Sequence, residues 1–213
     1  MTFDNAYTRE RAWNLLSEWT QSPSLLKHAL GVETCLRAYG EREADARGLS
    51  GAGRDEFIAQ YSMTGLLHDF DYERHPSLEE HPFIGNRVLA EQGWPREIQT
   101  AILGHASYSG VPRLTHLDKA LFACDELAGF LTACSLVKPT KSILDVDVAG
   151  VKKKMKDKAF ARGVNRDDIL NGAAELGVPV DDHIAFCLAA MQKNADALGL
   201  RGGVPAPSQM GED

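Results

Sequence analysis

Apolar residues in this chain recur at steps of three and four, and strand-like alternation is not sustained over any length. That period belongs to helices buried along one face. Leu25, His28, Val32, Cys35 and Tyr39 fall on one face of a helix whose start is signalled by Ser22-Pro23. Phe57, Tyr61, Thr64 and His68 share a face of the next, and His81, Ile84, Val88 and Leu89 a face of another. Ile98, Ala101, Ile102 and His105 follow, with Pro95 at the opening turn. Thr115 is placed to cap a longer helix carrying Phe122, Asp125, Ala128 and Gly129. Segments 40–53 and 71–80 read as loops, the first for its mixed charge and glycines, the second for its proline and charges. Beyond Lys138 a basic run over 152–158 precedes Asn165, a candidate N-cap for a helix to Leu176, and a last helix spans about 181–198. The expected fold is all-α: a helical core over 1–137, a basic helical appendage over 138–200 packed on it, and a Gly- and Pro-rich disordered tail over 201–213.

Composition narrows the classes. With 213 residues and 44% apolar content the chain can bury a sizeable core. A net charge of −7 argues against general nucleic-acid binding. The four cysteines form no CxxC pair, and Cys35, Cys124 and Cys187 lie in apolar helical patterns, so free thiols in a reducing compartment are expected. Residues 1–13 lack the apolar stretch of a signal peptide, and no run approaches 18 apolar residues. The expectation is a cytoplasmic protein with no membrane span.

Against this background six groups stand out: His28, His68, Asp69, His81, His105 and Asp125. His28, His81, His105 and Asp125 fall on inward helical faces, where an unpartnered carboxylate is costly and a cation is the simplest partner for Asp125. Imidazole nitrogen mixed with carboxylate oxygen suits a first-row divalent metal. His68 and Asp69, adjacent at a helix end, diverge by about 100°, so one can close a first ion while the other reaches toward a second. His75 and His116 read as exposed loop histidines, Asp118 as a helix-start residue, and Glu126 as pointing off the face of Asp125.

The order His … His-Asp … His … His … Asp resembles the HD superfamily of metal-dependent phosphohydrolases over residues 28–125. The resemblance implies an HD-type helical bundle whose first ion is held by His28, His68, Asp69 and Asp125. In a two-metal subset two further histidines join and the aspartate of the pair bridges. One of them often lies in a His-Pro-x-x-Gly segment, here His81-Pro82-Phe83-Ile84-Gly85, and His105 matches the other. The implied activity is hydrolysis of a small phosphoester, such as a nucleotide or another phosphorylated metabolite, by a metal-bound hydroxide near Asp69. Asp71 and His75, on the loop after the pair, are candidate proton-transfer residues. The cofactor would be two divalent transition-metal ions, iron or manganese first, then zinc, nickel or cobalt.

The basic run offers a phosphate clamp, with Lys138, Lys141, Lys154, Lys158 and Arg162 as its members and Lys154 and Lys158 on one helical face. A solvated surface is its plainer reading. Two rival functions share the ligand set. One is a di-iron oxygenase acting on a small anionic organic substrate. The other is a metal-binding regulatory or sensing module without turnover.

Overall fold

The 24-residue helix α2 (Pro23–Ala46) is the longest element, and it packs most extensively against the helix that follows it. In the computed structural model, which describes residues 7–203, it is one of nine α-helices, with no strand among those residues. The others are α1 (Arg9–Trp19), α3 (Gly51–Leu67), α4 (Phe83–Glu91), α5 (Arg96–His105), α6 (His116–Leu136), α7 (Val148–Met155), α8 (Arg166–Leu176) and α9 (Val180–Lys193). The Gly- and Pro-rich tail expected to be disordered lies, from residue 204 on, outside the described residues.

Local chemistry sets several helix starts. Pro23 sits in the first turn of α2, where its missing N–H costs nothing. Thr115 and Asp118 form a reciprocal capping box on α6, which gives Asp118 its helix-start role. The Asn165 side chain accepts from the Asp167 N–H at the start of α8.

One continuous core joins Leu16 of α1, Leu36 of α2, Leu66 of α3, Ile98 of α5, Leu127 of α6 and Met191 of α9. Residues beyond 138, among them Val151, Ile169 and Ile184, bury into this same cluster. Glu33 ties three helices together. It takes both ends of the Arg9 guanidinium at 2.5 and 2.7 Å, and the Ser62 hydroxyl at 2.7 Å. No helix among the described residues is long and apolar enough to cross a membrane.

Several expectations need correction, and one helix is added: the last helix, for instance, ends at Lys193 and not near 198. The loop expected over 40–53 is only 47–50, because α2 runs on to Ala46 and α3 starts at Gly51. Gly40 does not break the helix: a Cβ there would meet Tyr61 at 2.9 Å, so the glycine lets α2 and α3 approach closely. The charges of that stretch form same-helix pairs, Arg37–Glu41 and Arg47–Glu43. Helix α1 is an addition, with Ala12, Leu15 and Leu16 buried. Helix α7 stops at Met155, so Lys154 and Lys158 do not share a helical face. The turn after it is gathered by Arg166, whose guanidinium donates to the carbonyls of Phe160, of Ala161 at 2.6 Å and of Val164 at 2.7 Å. His116 is the first residue of α6, is only partly exposed, and bonds the Tyr61 hydroxyl at 2.9 Å through Nδ1.

Candidate metal centre

Six side chains from five places along the chain converge on one point. His28 comes from the first third of α2, and His68 and Asp69 follow the end of α3. His81 precedes α4, His105 is the last residue of α5, and Asp125 lies mid-way along α6. Two glycines make the convergence possible. A Cβ at Gly65, one turn before His68, would meet the backbone of Glu33 at 2.9 Å. Its absence brings α3 against α2, which places His68 beside His28. A Cβ at Gly85 would meet the Asp71 carboxylate at 2.6 Å. Instead the Gly85 N–H donates to Asp71 Oδ2 at 2.7 Å, and Asp71 Oδ1 accepts from His81 Nδ1 at 2.8 Å.

The donor atoms fall into two clusters that share Asp69: His28, His68, Asp69 and Asp125, then Asp69, His81 and His105. In the first, His28 Nε2 lies 3.1 Å from His68 Nε2 and 3.0 Å from Asp125 Oδ1. Asp69 Oδ2 lies 3.4 Å from His68 Nε2 and 3.7 Å from His28 Nε2. In the second, Asp69 Oδ1 lies 3.3 Å from both His81 Nε2 and His105 Nε2. Ligands bound about 2.1 Å from one ion at tetrahedral or octahedral angles are themselves about 3.0–3.4 Å apart. The observed separations fit that spacing, with His28–Asp69 slightly wider.

Proton positions sharpen the fit. A carbonyl oxygen only accepts, so His68 Nδ1 donates to Gly65 O at 2.8 Å, and His105 Nδ1 donates to Ile102 O. As neutral rings both then turn an Nε2 lone pair toward a carboxylate oxygen. Acceptor then faces acceptor, and a proton on Nε2 or a metal ion between the two groups reconciles them. The electrostatics give the same result. Burial opposes charge on His68, yet the Asp69 and Asp125 carboxylates outweigh it and hold its pKa well above the usual value. Burial likewise opposes charge on His81, and Asp69 and Asp71 raise it to about 9. Burial would raise the Asp69 pKa, but the charge on His68 and bonds from His105, His68 and His81 pull it far down. The donor set is that of a centre for two cations, each able to serve catalysis.

The centre opens into a 640 Å³ cavity lined by His28, Asp69, His81, His105 and Asp125 together with Tyr72, Leu78, Tyr108, Phe122, Glu126 and Asp168, among others. Tyr108 donates from its hydroxyl to the His81 carbonyl at 2.9 Å. Glu126, expected to point away from Asp125, faces this cavity instead. Burial first, then the Asp125 charge, push its carboxyl up to about 7. Burial also raises Asp168.

No family model, curated protein or solved structure matches this chain. The site therefore rests on its own geometry.

Other residues singled out in the sequence lie elsewhere. Both oxygens of Asp71 are engaged by His81 and Gly85, and the side chain is buried beside the centre rather than open to the cavity. His75 bonds Glu80 at 3.1 Å, packs near Trp19, and does not line the cavity. Lys138 and Lys154 line a separate recess with Lys153 and Cys134. The Lys154 ammonium stands 4.6 Å over the Phe160 ring and 3.9 Å from Asp157. Lys141, Lys158 and Arg162 are exposed, and of these Arg162 alone adjoins a cavity residue, Gly163. The structure thus gathers the six metal-ligand candidates and leaves the basic candidates outside the cavity lining. Asp71 as partner of His81, and Glu126 and Asp168 as cavity acids, escaped the sequence reading. A carboxylate two residues after the pair and a glutamate amid the apolar run 120–131 were the available signals.

Proposed function

We propose that this chain is a phosphohydrolase of the HD type, with two divalent transition-metal ions around Asp69 and a small phosphoester in the cavity beside them. The observation that carries the reading is the division of Asp69. Its Oδ2 faces His28 and His68, and its Oδ1 faces His81 and His105. That is the arrangement of a carboxylate bridging two ions. The order of the six groups and the His81-Pro82-Phe83-Ile84-Gly85 segment add support. Mixed imidazole and carboxylate donors suit a first-row divalent metal, and the resemblance puts iron or manganese ahead of zinc, nickel or cobalt.

When bound, such ions polarise a phosphoryl oxygen and lower the pKa of a coordinated water. The chain's part is to hold and orient. His28, His68 and Asp125 with Asp69 Oδ2 would take the first ion, and His81 and His105 with Asp69 Oδ1 the second. The Gly65 and Ile102 carbonyls fix the rings of His68 and His105 by holding Nδ1–H. Asp71 does the same for His81 and is thereby a positioning residue. Phe122, Tyr72 and Tyr108 give the cavity an aromatic lining.

The test is metal analysis of mildly purified protein, followed by phosphate release from a panel of phosphoesters with the native metals. Turnover of at least one ester, lost in Asp69→Ala with helicity intact, is the expected result. Near-wild-type turnover in Asp69→Ala would reject the centre.

One observation favours a second reading, dioxygen chemistry at two irons on a small organic substrate. Among the described residues no lysine or arginine lines the cavity. Iron-loaded protein that consumes dioxygen in the presence of a substrate and releases no phosphate from any ester would decide for it.

A further inference from the structure

We infer that the ligand of this cavity is zwitterionic: a small phosphomonoester whose far end carries an ammonium group seated against Glu126 and Asp168. The inference rests on the phosphohydrolase reading for the anionic end and on the cavity's own charges for the other. Two divalent ions would bring four positive charges against the two negative charges of Asp69 and Asp125, leaving two. A phosphomonoester dianion balances these without a lysine or arginine, and the lining contains neither among the described residues.

The remainder of the lining is acidic and aromatic. Among the described residues, neither Glu126 nor Asp168 forms an ion pair with a lysine or arginine. Asp168 accepts from the Asn165 side-chain amide at 2.7 Å. Arg113, whose guanidinium lies 3.7 Å over the Phe122 ring, is committed to Glu175 by two 2.7 Å bonds and to the Gly104 carbonyl. A second phosphate or a carboxylate on the ligand would meet two acidic side chains in partly buried surroundings, which selects against nucleoside di- and triphosphates. An ammonium would meet two carboxylates. A separate feature points the same way. Tyr72, Leu78 and Tyr108, all lining the cavity, remain 41%, 62% and 47% exposed. Tyrosine faces attract organic cations, and the methylenes of an aminoalkyl chain would cover the leucine.

Calorimetry on metal-loaded protein tests this without relying on turnover. The probes are inorganic phosphate, the 2-aminoethyl, 3-aminopropyl and 4-aminobutyl phosphates, the ethyl, propyl and butyl phosphates, and glycerol phosphate. At least one aminoalkyl ester should bind about tenfold or more tightly than its uncharged homologue and than glycerol phosphate. In Glu126→Gln/Asp168→Asn protein of wild-type metal content, that preference should shrink to within about threefold. If phosphate and the uncharged esters bind with no preference for any amine, or if glycerol phosphate binds most tightly, the inference is overturned and the phosphohydrolase reading stands. If neither phosphate nor any ester binds, the phosphohydrolase reading itself falls. Retention of the amine preference in the double variant would also overturn the assignment to these two carboxylates.

Discussion

Two buried histidine networks meet on α6, two residues apart, and they behave oppositely. At Ala123 the backbone carbonyl accepts from His183 Nε2 at 2.8 Å, and His183 Nδ1 bonds the Tyr39 hydroxyl at 2.7 Å. Every polar atom of that ring is satisfied by protein. Burial, ahead of every other influence, keeps its pKa below the usual value. At Asp125 the carboxylate faces His28 and His68, and no arrangement of neutral rings satisfies all the acceptors turned inward. The first network is closed and stabilises the fold. The second is open and calls for cations. Burial of a histidine is therefore no mark of a site, whereas convergence of acceptors that cannot satisfy one another is.

The contrast can be broken by substitution. The largest effect belongs to Asp69→Ala. Both ions should be lost, and on the proposed function phosphoester turnover should fall by about a thousandfold or more, since the centre would supply nucleophile and charge stabilisation together. Thermal unfolding of the metal-free protein should change little, because the ions that depend on Asp69 are already absent from it. A large loss of metal-free stability would mean the centre is closed like its neighbour.

His183→Phe should do the reverse. It leaves the Tyr39 hydroxyl and the Ala123 carbonyl without their partner, at a cost of about 2–4 kcal/mol. For a chain of this size that lowers the melting temperature by about 4–16 °C, with metal content retained. Differential scanning calorimetry and elemental analysis read both.

Within the centre, Gly85→Ala should separate the two ions. Crowding Asp71 releases His81, and affinity for the second ion should fall about 10–100-fold while the first is kept. Equal loss of both would argue against Asp71 acting through His81 alone.

A smaller signature is in pH. His183 is neutral in the fold and titrates near 6.5 when unfolded. Its contribution is complete above that value and is lost as pH falls toward its depressed folded pKa, because the unfolded chain then binds a proton that the fold does not. Chemical denaturation from pH 7.5 to 5 should show wild-type stability falling by up to about 1.4 kcal/mol per pH unit from this group. His183→Gln should have a shallower slope, and parallel profiles would remove His183 as the cause. The least effect is expected from Lys154→Ala/Lys158→Ala. Neither side chain lines the cavity, so catalytic efficiency should stay within about twofold, and a tenfold loss would restore the phosphate clamp.

What the sequence made legible follows the same division. His28, His105 and Asp125 could be read because the helical period shows which face each occupies, whereas His68, Asp69 and His81, which lie just outside helices, were legible only from their order along the chain and their residue types. Asn165 and Thr115 could be read because caps are local. Gly40 misled, because a glycine that admits a neighbouring helix looks like one that ends its own. The same holds for the lysine run, whose helix ends at Met155 and whose following turn is drawn in by Arg166. Asp71 and Glu126 carry the same residue letters as surface acids. Only the packing of Gly85 against Asp71, and the cavity beside Asp125, distinguish them. His183 lay in plain view on an apolar helix, but its partners are 144 and 60 residues away.

The central claim is that Asp69 joins two ion sites, and its most direct test is elemental analysis of mildly purified wild-type and Asp69→Asn protein, side by side. The account predicts close to two transition-metal ions per chain in the wild type and loss at both positions in the variant. A single ion in the wild type, kept when Asp69 is changed, would contradict it.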